Sequence, residues 1–517
     1  MDQFLKTIAA KITKAEKAAA ISTFLCGLVT HIYMFTNKIP NHDDMRYSFS
    51  YDTLVSDVYS ANSRWGLPFL SRISGIWSCP WLIGVLSLLF LSLSAMLVVK
   101  LLRVKSATGA ALVGCMMVTF PTVTGIFGYM MTADTYFLSL LLCCIGSLML
   151  AKKNMVCFLV SVVCFTLSLS IYQAFLPFAL GLFCVYLIRE LIETGDNRRI
   201  ILSFVKLAVS SALSMVLYFA VAHLLGAVGS RVNEQKFGGV RELLDKSIDG
   251  FRDLFGYFYR DSENLTSRYF CIAFVLLTII SLVLFILLVK RNHPKVSNII
   301  LLVLFVIAFF GSMISPYIIV SESVHSLMVY SFVMLPISFI VIIDAWPKDW
   351  KKLNVKITQT ASVLLVALLC WNFMITANHN YLRMDLTVKQ VYAYSVRLIE
   401  RIEDTPGYTT EMPVVFIGAP TMDQDNKELY DYLWGTGSVK ITGSLSPNDL
   451  LAYSASAYSP YQNFLSQYLG WNHKIYRVYA PYYDKIENAD VIARELTTYP
   501  ADGSTRVVDG MLYVRFR

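Results

Sequence analysis

The sequence predicts a polytopic α-helical membrane protein of about eleven spans, carrying a small α/β extracytoplasmic domain at its C-terminus. Two observations predict it. The 517 residues are 56% hydrophobic and only 15% charged, with a mean hydropathy of +0.55, whereas soluble domains are about 45–50% apolar with about a quarter of residues charged. The apolar residues also gather into runs of the ~20 residues that a bilayer crossing needs, until the pattern changes beyond residue 377. The formal charge of +8 does not indicate nucleic acid, because the basic residues are scattered between apolar runs rather than clustered on one face. The ten cysteines lie in or beside apolar segments, none follows Cys370, and no CxxC pair occurs. Neither a disulfide framework nor a zinc site is indicated.

The expected spans lie near residues 18–36, 79–99, 107–126, 134–151, 154–170, 173–189, 201–226, 269–289, 298–318, 328–346 and 359–377. Residues 154–189 form one apolar block that, as a single helix, would be about 54 Å long, far beyond a hydrocarbon core of ~30 Å. Basic residues flank both ends of the block, Lys152 and Lys153 before it, Arg189, Arg198 and Arg199 after it. Both ends therefore face the cytoplasm and the block crosses twice, with a reversal near Ser170–Pro177. The same parity splits 107–151 between Lys105 and Lys152. With the N-terminus in the cytoplasm every inner segment is basic and the short outer turns carry no Lys or Arg, which fixes the expected orientation and places residues 378–517 outside.

At the N-terminus, Lys6 to Lys17 interleave with Phe4, Leu5, Ile8 and Ile12 at helical spacing, which suits an interfacial helix rather than a cleavable signal. Two long outer loops are expected, 37–78 and 227–268. In the second, Val240, Leu244, Ile248, Phe251, Phe255 and Phe258 form an apolar helical stripe opposite charged residues, as in a helix lying on the outer surface. The expected domains are thus 1–377 in the membrane and 378–517 outside. In the tail, residues 384–404 read as a helix, "MPVVFIGAP" as a buried strand and "STRVVDGMLYVRF" as a hairpin turning at Asp509-Gly510, a pairing favoured in type I′ turns.

Intramembrane charge marks function when it occurs, but few such residues are available here, and Lys206 and Asp344 sit near inner span ends where snorkelling explains them. That argues against an ion-coupled transporter, which needs ionisable groups or broken helices at mid-depth. The polar clusters gather at the outer boundary instead. After the first span comes "IPNHDDMRYSFSYD" with His42, Asp43, Asp44 and Arg46. Adjacent carboxylates there suit a general base toward a hydroxyl, or metal ligation, and equally a solvated loop with an Asp cap before a helix over 45–60. "NSRWGLPFLSR" follows, whose Arg64 suits a phosphate and Trp65 a sugar face, or both a plain interfacial anchor. "MTADTYF" holds Asp134 at a helix start, "LSIYQAFLP" holds Tyr172 and Gln173 in the tight reversal, and "VSESVHSLM" holds Glu322 and His325. Asp134 also suits a cap and Tyr172 an aromatic belt, whereas an amide such as Gln173 in an apolar reversal needs partners. Hydrolase, zinc-protease, P-loop and dinucleotide-binding signatures do not occur, and the sequon at Asn264 is of a kind that arises often by chance.

An acidic pair in the first outer loop, an RW shortly after it, an Asp at the third outer boundary and "SIYQAF" at the next resemble the phage-type, seroconverting O-antigen glucosyltransferases of the GT-C class of membrane glycosyltransferases. The resemblance covers the architecture of essentially the whole chain, though Ser63 before the RW pair fits the family only loosely. It implies transfer of one sugar, typically glucose, from undecaprenyl phosphate to a lipid-linked surface polysaccharide at the outer face of a bacterial inner membrane. It places the catalytic acid at Asp44 or Asp43, a second acid at Asp134 and a group facing the donor phosphate at Arg64. With a prenyl-phosphate leaving group already in the donor, no metal or cofactor is expected. A polysaccharide translocator would require polar residues at mid-depth, a polymerase or ligase would not bring the C-terminal domain, and a receptor tail would leave the outer clusters unexplained.

Overall fold

The computed structural model describes residues 12–47, 54–55, 62–75, 78–229, 239–260, 268–292, 294–320, 324–346, 355–422, 450–451, 460–479 and 482–516. In chain order the helices are α1 (Lys14–Thr36), α2 (His42–Tyr47), α3 (Pro80–Leu101), α4 (Ala107–Thr119), α5 (Pro121–Gly128), α6 (Ala133–Leu150), α7 (Met155–Ile171), α8 (Leu176–Thr194), α9 (Asn197–Leu224) and α10 (Val240–Tyr259). They continue with α11 (Arg268–Arg291), α12 (Val296–Ile319), α13 (Met334–Asp344) and α14 (Val355–Glu403). Beyond them come β1 (Val414–Ile417), α15 (Pro460–Leu469), β2 (Ile475–Tyr479), β3 (Tyr482–Tyr483), α16 (Ala489–Glu495), β4 (Thr505–Val508) and β5 (Met511–Arg515). The chain divides into two compact units, one of residues 1–38, 54–380 and 437–442, the other of 39–53, 381–436 and 443–517.

In the first unit every expected apolar run is helical. Among the described residues, eight helices are long and apolar enough to cross a bilayer, or up to nine if the bent pair α4 and α5 counts as one. Met155–Ile171 and Tyr330–Asp344 are apolar but shorter. Their shortness has local causes: Tyr172 turns to extended backbone and ends α7, and a 3-10 turn at Tyr330–Val333 replaces the start of α13. The expected reversal is found there, with a 3-10 turn over Gln173–Phe175 before Pro177 opens α8. The 41° bend between α4 and α5 falls at Pro121, whose ring removes a backbone donor and holds Phe120 extended.

Between apolar helices burial alone gives little selectivity, so small residues and polar side chains set the contacts. A Cβ on Gly27 of α1 would lie 2.4 Å from Leu88 of α3, and one on Gly146 of α6 would lie 2.7 Å from the ring of Phe165 on α7. Ser22 donates to the Ala111 carbonyl at 3.0 Å, tying α1 to α4, and Tyr330 donates to the Met117 carbonyl at 3.0 Å. Asp344 does more than reach for water: its carboxylate accepts from Lys105 N at 2.7 Å, Ser106 N at 3.0 Å and the Ser106 hydroxyl, closing the N-terminus of α4. The amphipathic stripe expected at 240–258 is α10, with Leu254, Tyr257 and Phe258 buried and Val240, Leu244 and Ile248 exposed. All ten cysteines are free thiols. The N-terminal segment 4–11 and the sequon at 264–266 lie outside the described residues.

One difference from the sequence reading is the end of the last span. Residues 359–377 and 384–404 are not separate helices but parts of α14, which runs without interruption from Val355 to Glu403. The intervening Asn378-His379-Asn380-Tyr381-Leu382-Arg383 contains no Gly or Pro, so nothing in it breaks the hydrogen-bond ladder.

The second unit holds a five-stranded sheet in the order β3-β2-β1-β5-β4. β1 runs parallel to both β2 and β5, and β4–β5 form the expected hairpin, with Asp509 at φ 48° and Gly510 at φ 75°. Two successive left-handed residues are what a type I′ turn requires. Its main core joins Val391, Leu398 and Ile402 of α14 to Val414 and Phe416 of β1, Leu512 and Val514 of β5, and Phe464 and Leu465 of α15. Met45 of α2 is fully buried in that same core.

Candidate functional site

In the first unit, the polar residues singled out in different loops meet around one guanidinium. Ser63 adopts left-handed backbone (φ 54°) and its hydroxyl accepts from Gly229 N at 2.7 Å, which sets the direction of the chain into Arg64. Two residues on, Gly66 N donates to the Ser170 carbonyl at 3.0 Å. Only Gly fits this approach, since a Cβ would stand 2.2 Å from the Ser170 hydroxyl.

Held in this way, half-buried Arg64 donates through Nε to Gln173 Oε1 at 3.2 Å and through Nη1 to the Tyr136 hydroxyl at 3.1 Å. Its guanidinium carbon lies 4.8 Å from the centroid of Tyr172, a cation–π distance, and Tyr172 itself stacks on Tyr136 with centroids 4.4 Å apart. Gln173 finds the partners an amide in an apolar turn needs, donating to the Asn62 carbonyl and to the Tyr218 hydroxyl, each at 2.9 Å. Trp65 Nε1 donates to the Tyr218 carbonyl at 3.2 Å, and the Tyr172 hydroxyl donates to the Leu327 carbonyl at 3.0 Å. Burial pushes the Tyr172 phenol well above its ordinary range, so it stays a neutral donor. Among the described residues no carboxylate pairs with Arg64, and its Nη2 has no protein partner. The result is a fixed, uncompensated positive charge framed by tyrosines, a geometry suited to an anionic oxygen, with Trp65 alongside.

Asp134 is buried at the start of α6 and accepts from its neighbour Thr135, at 2.7 Å from the backbone N and 3.2 Å from the hydroxyl, with Ser74 as a further donor. No ion pair joins it to Arg64 among the described residues. His325 is exposed on the turn before Ser326–Met328, a turn anchored by Thr122 donating to the Ser326 carbonyl at 2.8 Å. Glu322 lies outside the described residues.

The acidic pair belongs to the second unit. Asn41 and Asp44 cap α2 reciprocally: Asp44 N donates to Asn41 Oδ1 at 2.9 Å and Asn41 N to Asp44 Oδ2 at 3.4 Å. Asp44 is only 2% exposed, whereas the Asp43 side chain is 35% exposed and stands 3.3 Å from His42 Nε2. Arg46 lies 5.5 Å from the ring of Tyr47. The segment is fastened by Asn463 of α15, which donates to the Met45 carbonyl at 2.8 Å. Burial and then the nearby Asp44 charge push the Tyr468 phenol upward. The structure thus gathers Arg64, Trp65, Tyr172 and Gln173 into one cluster, while Asp43, Asp44 and Arg46 sit on α2 in the other unit.

Sequence reasoning missed Tyr136, Tyr218 and Asn62. Tyr136 stands two residues after Asp134 in a motif singled out for its acid alone, and Tyr218 is the one tyrosine in the apolar run 201–226. Among the described residues no group of three His, Cys, Asp or Glu is placed to hold a metal ion.

A bundle of bilayer-length apolar helices, with a guanidinium framed by tyrosines at its helix ends, defines a polytopic membrane protein. The chain belongs to the glucosyl transferase GtrII family, whose profile matches residues 32–336. It is therefore a glycosyltransferase, and the family points to glycosyl transfer onto a surface polysaccharide. The matched stretch contains every site residue named above from the loops and ends before the five-stranded sheet begins. Among curated proteins and among solved structures nothing matches the chain.

Proposed function

We propose that this glycosyltransferase moves a glucosyl unit from undecaprenyl phosphate to a hydroxyl of a lipid-linked O-antigen-type polysaccharide, at the outer face of a bacterial inner membrane. In this reading the N-terminus is cytoplasmic and the C-terminal domain extracytoplasmic. The observation that carries it is Arg64, a guanidinium oriented by Gln173, Tyr136 and Tyr172 and, among the described residues, without a carboxylate partner. Arg64 holds the donor phosphate and stabilises the charge that develops on it as the sugar–phosphate bond breaks. Trp65 offers an indole face to the sugar, and Asp134 supports the loop through Ser74. From the acidic pair, Asp44 or Asp43 accepts the proton of the attacking hydroxyl. Attack and departure in a single displacement invert the anomeric centre, and no metal is required.

The test is transfer of labelled glucose from polyprenyl-phosphate glucose to polysaccharide in membranes carrying Arg64 variants. Removing a group that stabilises developing negative charge costs ~10²–10³ in rate, so Arg64→Ala is expected to lose activity on that scale. Arg64→Lys restores charge without the two-pronged geometry and recovers only part of it. Wild-type transfer by Arg64→Ala would overturn the reading.

A further inference from the structure

Within the first unit a cavity of about 590 Å³ lies among α8, α10, α11, α12 and α13, inside the ~300–1,000 Å³ range of ligand sites. Most of its wall is apolar, for example Leu254, Phe285, Phe309 and Phe339, and its charged lining, Arg189, Glu193 and Arg291, stands at one end. Along α11 it extends from Thr278 to Arg291, about 20 Å at 1.5 Å per residue, which exceeds the ~15 Å half-thickness of a bilayer core. Such a shape takes a chain, not a compact solute.

The charge around the mouth says what heads that chain. Arg189 donates to Glu193 at 2.8 Å and to the Leu102 carbonyl, and Arg103 pairs with Glu190 and, at 2.9 Å, with Glu193. The helix ends nearby carry Arg103, Lys105, Arg189, Arg199, Lys290 and Arg291 against Glu190, Glu193, Asp196 and Asp344, a net positive balance in which Arg199 stands 3.9 Å from Glu190. The mouth lies at the opposite end of α8 from Gln173: sixteen residues separate Gln173 from Arg189, about 24 Å along the helix. A donor whose phosphate is held at Arg64 cannot place that phosphate at Arg291.

We infer that the cavity is a binding site for an anionic phospholipid, one acyl chain lying among α10 to α13 and the phosphate at the Arg189–Arg291 rim. The lipid acts as a structural ligand on the membrane face opposite the sugar-transfer site. Exclusion of the donor from this cavity rests on the proposed role of Arg64; the cavity and its charged rim do not.

The experiment uses the full-length protein purified in mild detergent, with native mass spectrometry, extraction of bound lipid, and add-back of phosphatidylglycerol or phosphatidylethanolamine. Wild type is expected to retain about one phosphatidylglycerol and to prefer it about tenfold over phosphatidylethanolamine. Ser281→Phe and Ser338→Phe fill the cavity from two different helices and should each cut retention at least tenfold in monodisperse protein. Arg291→Gln leaves the packing intact and should lower the preference about fivefold, since a basic residue near a membrane surface contributes ~1 kcal/mol toward anionic lipid. Equal retention of the two lipids, phosphatidylglycerol still held by both filled variants, or an unchanged preference in Arg291→Gln would overturn the proposal. Recovery of polyprenyl phosphate as the bound lipid would also overturn it, while loss of transfer in Arg64→Ala would still support the donor reading.

Discussion

Arg64 donates through Nε to Gln173 at 3.2 Å across 109 positions of sequence, joining the loop after α1 to the turn that opens α8. Gln173 is in turn fixed by giving both its amide hydrogens to the Asn62 carbonyl and the Tyr218 hydroxyl. The amide is thus a positioning residue with no hydrogen left for a substrate. A hydrogen bond to a charged group contributes ~1.5–3 kcal/mol, so Gln173→Leu should raise the KM for the donor about tenfold or more. Gln173→Glu should be worse than Gln173→Leu, because a carboxylate there neutralises the cation meant for phosphate. Donor titration of the two variants distinguishes orientation from charge.

Gly66 passes Ser170 too closely for any side chain. Gly66→Ala would place its Cβ 2.2 Å from the Ser170 hydroxyl, and overpacking of this kind costs ~1–3 kcal/mol. Thermal unfolding of the full chain in detergent should show that loss. Pairing it with Ser170→Gly should return part of it, leaving a non-additive interaction energy; strict additivity would mean the contact is not the cause.

The two aspartates separate by environment. Asp44 caps α2 from within the core, and Asp43 faces solvent beside His42. If either is the base, its Asn variant should lose ~10²–10⁴ in rate with the C-terminal unit still folded by circular dichroism. Full transfer by both Asp43→Asn and Asp44→Asn would remove the acidic pair from the mechanism.

Alkaline pH should loosen the second unit. Tyr461 is buried and Tyr468 half-buried, and burial pushes both phenols upward, Tyr468 also through the Asp44 charge. Raised native pKa values mean that these groups contribute fully below the unfolded value of about 10 and lose that contribution as pH rises beyond it. Hydrogen exchange at α15 should therefore accelerate above about pH 10, and less so in Tyr468→Phe.

Much of this was legible in the sequence where the signal is local. The apolar runs became helices, the reversal fell between Ile171 and Leu176, and Asp509-Gly510 turned the hairpin, because hydropathy and turn chemistry act over a few residues. The continuity of α14 was legible too, in the lack of Gly or Pro at 378–383, although the change from apolar to polar composition there reads as an end. Tyr136 and Tyr218 gave no comparable signal: a lone tyrosine in an apolar helix reads as packing until the partner of its hydroxyl is known. Least legible was Met45, whose partners on α14, α15 and the sheet lie hundreds of residues away.

That last contact sets an order of events. Asn463 reaches the Met45 carbonyl across 418 positions, and the core that encloses Met45 is completed by Leu512, Val514 and Phe516 at the far end of the chain. A chain growing from its N-terminus makes the acidic helix among its first fifty residues but cannot seat it until nearly the last residue has been added. The helix that carries Asp43 and Asp44 therefore gains its core only once residues 460–516 have been made, and a fragment that stops short of α15 would leave α2 without that core.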